Sequence, residues 1–138
     1  MSVCSAKGGA VHLQAKRRYW TFVVDDNRDA AHSFALVLRT LGCEASFTSD
    51  PRNALTGIAR LKPQIVFLDI EMPHLNGYQL AQMLRAEYQE GLKLVAVTGY
   101  GEERDRAACR KAGFDAHVLK PVDPALVLSI LETVLPES

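Results

Sequence analysis

Ile65-Val66-Phe67-Leu68-Asp69-Ile70-Glu71-Met72-Pro73 is the stretch on which the fold turns. Five of its first six residues are apolar and rich in β-branched and aromatic types, which predicts a short strand buried on both faces. The run stops on a carboxylate, and Pro73, Asn76 and Gly77 then make a loop ahead of an amphipathic helix. Taken by itself, an aspartate in that position caps a turn. At the carboxyl edge of a parallel sheet it lies instead in the crevice where open α/β folds bind ligands.

The same alternation of short apolar run and amphipathic stretch recurs on both sides of Asp69. Tyr19 to Val24 reads as a first strand and ends on Asp25-Asp26-Asn27. Ala31, Phe34, Ala35, Leu38 and Leu41 follow at helical intervals, with Gly42 as the stop. Cys43 to Thr48 is a second strand, and Asp50-Pro51 opens a helix with Ala54, Leu55, Ile58 and Leu61 on its inner stripe. Beyond the Asp69 strand, a helix from about Tyr78 to Glu87 turns Leu80, Ala81 and Leu84 inward, and the strand Lys93 to Thr98 ends on a hydroxyl. Glu102 to Ala112 is a helix whose stripe is alanine and Cys109 rather than bulky aliphatics, so loose packing is expected there. His117-Val118-Leu119 is a fifth strand that stops at Lys120-Pro121. Asp123-Pro124 then caps a last helix with Leu126, Val127, Ile130, Leu131 and Val134 facing the core.

Five strands alternating with five helices predict an α/β, doubly wound five-stranded parallel sheet. A strand order of 2-1-3-4-5 places the first and third strands together at the switch point, bringing Asp25, Asp26 and Asp69 side by side. Residues 1–18 read as a flexible basic arm ending in Lys16-Arg17-Arg18, and residues 19–138 as one domain.

Composition narrows the classes of function. The 138 residues suffice for one self-sufficient core. Cys4, Cys43 and Cys109 are odd in number and have no C-x-x-C spacing, which argues for free thiols in the cytoplasm and against a zinc site. Sixteen basic residues balance sixteen acidic ones, so nothing in the global charge suggests binding to nucleic acid or an anionic membrane. No apolar run approaches the roughly eighteen residues of a spanning helix, and the start lacks the apolar core of a signal peptide.

Three carboxylates in one crevice repel by about 4 kcal/mol per pair at about 4 Å and an effective dielectric of about 20. Lys120 offsets one charge, and the remainder suits a hard divalent cation held by oxygen, with Mg²⁺ the best match. Asp69 can then attack a phosphoryl group while Lys120 neutralises its oxygens and Thr98 donates a hydrogen bond. A P-loop, a G-x-G-x-x-G turn and a Ser-His or Cys-His pairing are all lacking.

Asp25-Asp26, Asp69, Thr98 and Lys120-Pro121, each after its own strand, resemble the receiver domain of two-component response regulators, over Tyr19 to about Leu135. The resemblance implies a flavodoxin-like fold and Mg²⁺-dependent transfer of phosphate to Asp69 from a histidine kinase or histidine phosphotransfer protein, followed by slow hydrolysis. It also implies that Asp26 and Asp69 bind Mg²⁺ directly, Asp25 through water, and Glu71 through its backbone carbonyl. A cis bond before Pro121 and a switch involving Thr98 belong to the same set. His117 stands where the family often has Tyr or Phe, a departure that weighs against a simple aromatic switch. Glu71 and Tyr100 stand where side chains tune the lifetime of the phosphate. The chain ends just after the last helix, so the expected output is partner binding, either as a free-standing regulator or as a segment of a hybrid kinase. Two rival readings are a haloacid-dehalogenase-like phosphatase, whose nucleophile follows the first strand, and a receiver-like binding module that never gains phosphate.

Overall fold

A computed structural model describes residues 14–15, 18–72, 76–99 and 103–135. Five strands, β1 (Trp20–Val24), β2 (Glu44–Thr48), β3 (Ile65–Asp69), β4 (Lys93–Thr98) and β5 (Ala116–Leu119), alternate with five helices. The helices are α1 (Arg28–Thr40), α2 (Ala54–Leu61), α3 (Gly77–Tyr88), α4 (Glu103–Ala112) and α5 (Pro124–Val134). All neighbouring strands are parallel, in the order β2-β1-β3-β4-β5. The fold is therefore the doubly wound, flavodoxin-like sandwich that the alternation predicts.

Side-chain alternation along the strands divides the interior into two layers. Val23, Phe67, Val95, Val97 and Val118 face α1 and α5, where Phe34, Leu38, Val127 and Leu131 meet them. Phe22, Val24, Val66, Leu68, Leu94 and Ala96 face the opposite layer, where Ile58 of α2, Leu80 and Leu84 of α3 and Cys109 of α4 meet them. All five residues of β3 are buried, as expected of a central strand covered on both sides.

Local sequence sets the helix starts. Asn27, Asn76 and Asp123 accept hydrogen bonds from the backbone N–H groups of Ala30, Gln79 and Ala125, which satisfies orphan donors in each first turn. Asp50 plays this part for a 3₁₀ turn, Pro51–Asn53, so α2 proper begins only at Ala54. Two expected core residues face out instead: Leu61 is 37% exposed and Leu126 is 44% exposed. Leu61 is the last residue of α2, immediately before left-handed Lys62 redirects the chain. Leu126 lies one residue, about 100° of helix, away from the inward row that begins at Val127.

Of the proposed N-terminal arm, Gln14, Ala15 and Arg18 fall within the described residues. The Gln14 side chain donates to the Thr40 carbonyl and the Ala15 N–H to the Leu41 carbonyl, both at 2.8 Å, while Arg18 pairs with Glu44. No helix among the described residues is long and apolar enough to cross a membrane.

Candidate functional site

Register brings the acids together. Val24 of β1 lies opposite Leu68 of β3, so Asp25 and Asp69 leave adjacent strands at the same level. Each folds back on itself in the same way: Asp25 Oδ1 accepts the Asn27 N–H and Asp69 Oδ1 accepts the Glu71 N–H, both at 2.9 Å. One oxygen of each is thereby committed to its own loop, and Oδ2 of each faces Lys120. Lys120 Nζ stands 3.3 Å from Asp69 Oδ2 and 3.6 Å from Asp25 Oδ2. Asp25, Asp26 and Asp69 each offer an oxygen within 4.8 Å of the others, with Asp26 exposed and the other two buried. Among the described residues this is the one cluster of acids, histidines or cysteines that could hold a metal ion, and its donors are all carboxylate oxygens.

The electrostatics follow from this crowding. Burial pushes the Asp25 carboxyl up to about 6, and the charge of Asp69 adds to the rise. The Asn27 N–H and the Lys120 ammonium oppose it without cancelling it. For Lys120, burial favours the neutral amine, but Asp25 and Asp69 together outweigh it and raise the pKa.

Thr98 ends β4 and is buried, and its carbonyl accepts the Lys120 N–H at 2.8 Å, tying the fourth and fifth strand ends together. The Lys120–Pro121 bond is cis, as the resemblance implied. Glu71 is exposed, yet its carboxylate reaches across the mouth of the crevice, with Oε1 only 3.7 Å from where a Cβ on Gly99 would stand. Tyr100 lies outside the described residues. His117 is half-buried and pairs with Ala96, two residues short of the Thr98–Leu119 level. It lines a groove of about 300 Å³ with Arg106, Cys109, Arg110 and Phe114, apart from the acids. A wider hollow, of about 640 Å³, also lies elsewhere, at the opposite strand ends among Ile58, Lys62, Tyr88, Lys93 and Leu135.

Gly77 supports the site in a way that sequence reasoning took only as a turn. A Cβ there would come within 2.6 Å of the Ile70 Cα and 2.8 Å of the Asp69 carbonyl oxygen, so only glycine lets α3 start against the end of β3. The signal was the Asn76-Gly77 pair directly ahead of the helix.

A doubly wound parallel sheet with carboxylates, a hydroxyl and an ammonium group at its switch point defines a class of α/β domain that handles anionic ligands at the carboxyl edge. Comparison with known proteins is more specific: the model of the response regulator receiver domain matches residues 21–132, and the chain belongs to that family. Receiver domains are signalling domains. An uncharacterized 14.6 kDa protein from the sodA1 3′ region of Leptolyngbya boryana is 30% identical over 112 residues, covering 80% of this chain and 85% of that protein. The DNA-binding response regulator MtrA of Mycolicibacterium smegmatis is 33% identical over 102 residues, 74% of this chain and 44% of MtrA. The chain thus spans less than half the length of that relative. Among solved structures, chemotaxis protein CheY4 of Vibrio cholerae superposes with a TM-score of 0.79 at 21% identity, over 86% of this chain and 100% of that one. A CheY-like response regulator receiver domain protein of Methanospirillum hungatei gives 0.74 at 26% identity, over 86% and 94%.

Proposed function

We propose that this receiver domain is a phosphoacceptor that takes a phosphoryl group onto Asp69 from a phosphohistidine on a histidine kinase or histidine phosphotransfer protein in the cytoplasm. The observation that carries the reading is the buried Asp69 carboxylate, with Oδ1 tied to its own loop and Oδ2 held 3.3 Å from Lys120 beside two further acids. Asp69 Oδ2 forms the new O–P bond as the N–P bond of the donor breaks, and the departing imidazole keeps the electron pair and takes a proton. Lys120 balances charge on the phosphoryl oxygens, and the Thr98 hydroxyl donates to one of them.

The all-oxygen donor set fits Mg²⁺ rather than a softer metal, with Asp25, Asp26, Asp69 and the Glu71 carbonyl as its holders. When bound, Mg²⁺ supplies the positive charge that lets a crowded anionic site accept a further anion. Hydrolysis later breaks the new O–P bond as water attacks phosphorus, releasing inorganic phosphate and restoring the carboxylate. Glu71, at the mouth of the crevice, and Tyr100 set access for that water. Thr98 and His117, at different levels of the β4–β5 pair, are the residues assigned to transmit the phosphorylated state to a partner.

Intact mass after incubation with a small acyl phosphate tests the reading. The wild type should gain one phosphoryl group in Mg²⁺ and none in chelator, and Asp69→Asn should gain none while keeping its circular dichroism spectrum. A folded Asp69→Asn protein that labels as well as the wild type places the acceptor elsewhere.

A further inference from the structure

The connection from α4 to β5 is held by one side chain from another helix. Arg85 of α3 directs its guanidinium at residues 113–115: Nε and Nη2 donate to the Gly113 carbonyl at 3.2 and 2.6 Å, and Nη2 pairs with Asp115 Oδ2 at 3.0 Å. On its other side Nη1 donates to the Leu92 carbonyl at 2.8 Å and also to the Gln89 carbonyl. Asp115 Oδ2 in turn accepts the Leu94 N–H at 2.9 Å, so the same carboxylate clasps the start of β4. Gly113 is adapted to this arrangement twice over. Its φ is +102°, and a Cβ there would press on Arg85 Nε at 3.2 Å and Cγ at 3.3 Å.

Among the described side chains of α4, those from 106 to 112, burial is concentrated toward the C-terminal end. At its C-terminal end Cys109 and Ala112 are buried, the Gly113 and Phe114 N–H groups close the helix onto the Arg110 and Cys109 carbonyls, and Arg85 grips the residue that follows. Toward the other end Arg106 and Ala107 are exposed and Ala108 is half-buried. That end follows β4, whose last residue is Thr98 in the crevice. A charge-assisted, multidentate clasp is stronger and more directional than the contacts a half-buried alanine such as Ala108 can make.

We propose that Arg85 is the fixed pivot of α4: it pins residues 113–115 to α3 and β4, so that a pull from the Thr98 end turns the helix about Gly113 instead of sliding or releasing it. The pull itself rests on the phosphoacceptor reading above, whereas the pin does not. A pivot of this kind delivers its largest displacement at the crevice end of α4 and leaves the β5 start in place.

Amide hydrogen exchange by mass spectrometry, with the Asp69 mass gain recorded in the same samples, tests the pivot in wild type, Arg85→Ala and Arg85→Lys, each with Mg²⁺ and with or without acetyl phosphate. In labelled wild type, exchange should change at 106–108 and stay within about twofold at 110–115. In labelled Arg85→Ala the change should extend through 110–115 by about tenfold. Arg85→Lys should fall between, because an ammonium can hold Asp115 but cannot span both the Gly113 and Leu92 carbonyls. Equal change at both ends of wild-type α4, no change along it, or a localised change in Arg85→Ala overturns the pivot. If Asp69 gains no mass, the phosphoacceptor reading fails, and the pin is judged from the unlabelled proteins. There Arg85→Ala should speed exchange at 110–115 by about tenfold relative to β3, whose five buried residues report global stability, and equal effects on both overturn it.

Discussion

Asp25 holds a proton more tightly in the folded chain than in the unfolded one, because burial and the neighbouring Asp69 lift its carboxyl from 3.8 to about 6. Folding therefore takes up a proton between those two values, and the sign is the reverse of a salt-bridged acid. The contribution to stability is fully present below 3.8, declines as pH rises, and is gone above about 6. In chelator, urea unfolding should show Asp25→Asn more stable than wild type at about pH 7.5 by on the order of a few kcal/mol, with the difference shrinking toward about pH 5. Mg²⁺ at about pH 7.5 should close much of the gap by stabilising wild type. A difference between the two proteins that does not vary with pH would place the strain in shape rather than charge. At this scale the gathering of the site's side chains at one sheet edge was legible. Asp25, Asp26, Asp69, Thr98 and Lys120 each stand where an apolar run gives way to turn residues, and the parallel sheet brings such positions to one edge. What could not be read was the division of labour inside each carboxylate, with one oxygen for the Asn27 or Glu71 N–H and one for Lys120, since that depends on loop dihedrals.

Among the elements, α3 shows how closely a helix start can be tied to a strand end. The Gly77 N–H donates to the Ile70 carbonyl at 3.3 Å, and there is no room for a methyl group between the two backbones. Gly77→Ala should cost about 1–3 kcal/mol, because the obstructing atoms are main chain and cannot rotate away. It should also slow labelling of Asp69, whose carbonyl is one of the two atoms struck. Normal labelling together with unchanged stability would mean that α3 can move off β3 without cost. Helices with a bulky stripe, such as α1 with Phe34 and Leu38, were legible from spacing. The short α2 was read one turn too long at its start, since Pro51–Asn53 is a 3₁₀ turn, and its last residue, Leu61, was read as inward but is exposed. Periodicity shows which face is apolar but not where the sheet beneath it ends. The clasp of Arg85 on Gly113 was invisible for another reason: it joins residues 28 positions apart and leaves no local pattern.

Across the whole molecule, the strand order could be reasoned out because right-handed crossovers leave few ways to cover a parallel sheet on both sides. The two layers that result have a bearing on how substitutions combine. Phe34 and Phe67 are far apart in sequence, but their rings are 4.8 Å apart in the same layer. Leu68 adjoins Phe67 in the chain, yet its side chain belongs to the layer across the sheet. Phe34→Leu with Phe67→Leu should therefore be non-additive by about 0.5 kcal/mol or more, whereas Phe34→Leu with Leu68→Val should sum to within about 0.5 kcal/mol. Additivity in the first pair or strong coupling in the second would show that strain passes through the sheet. Otherwise the sheet acts as a partition in the chain's mutational history: a substitution in one layer changes which substitutions its own layer will accept next, and leaves the repertoire of the other layer as it was.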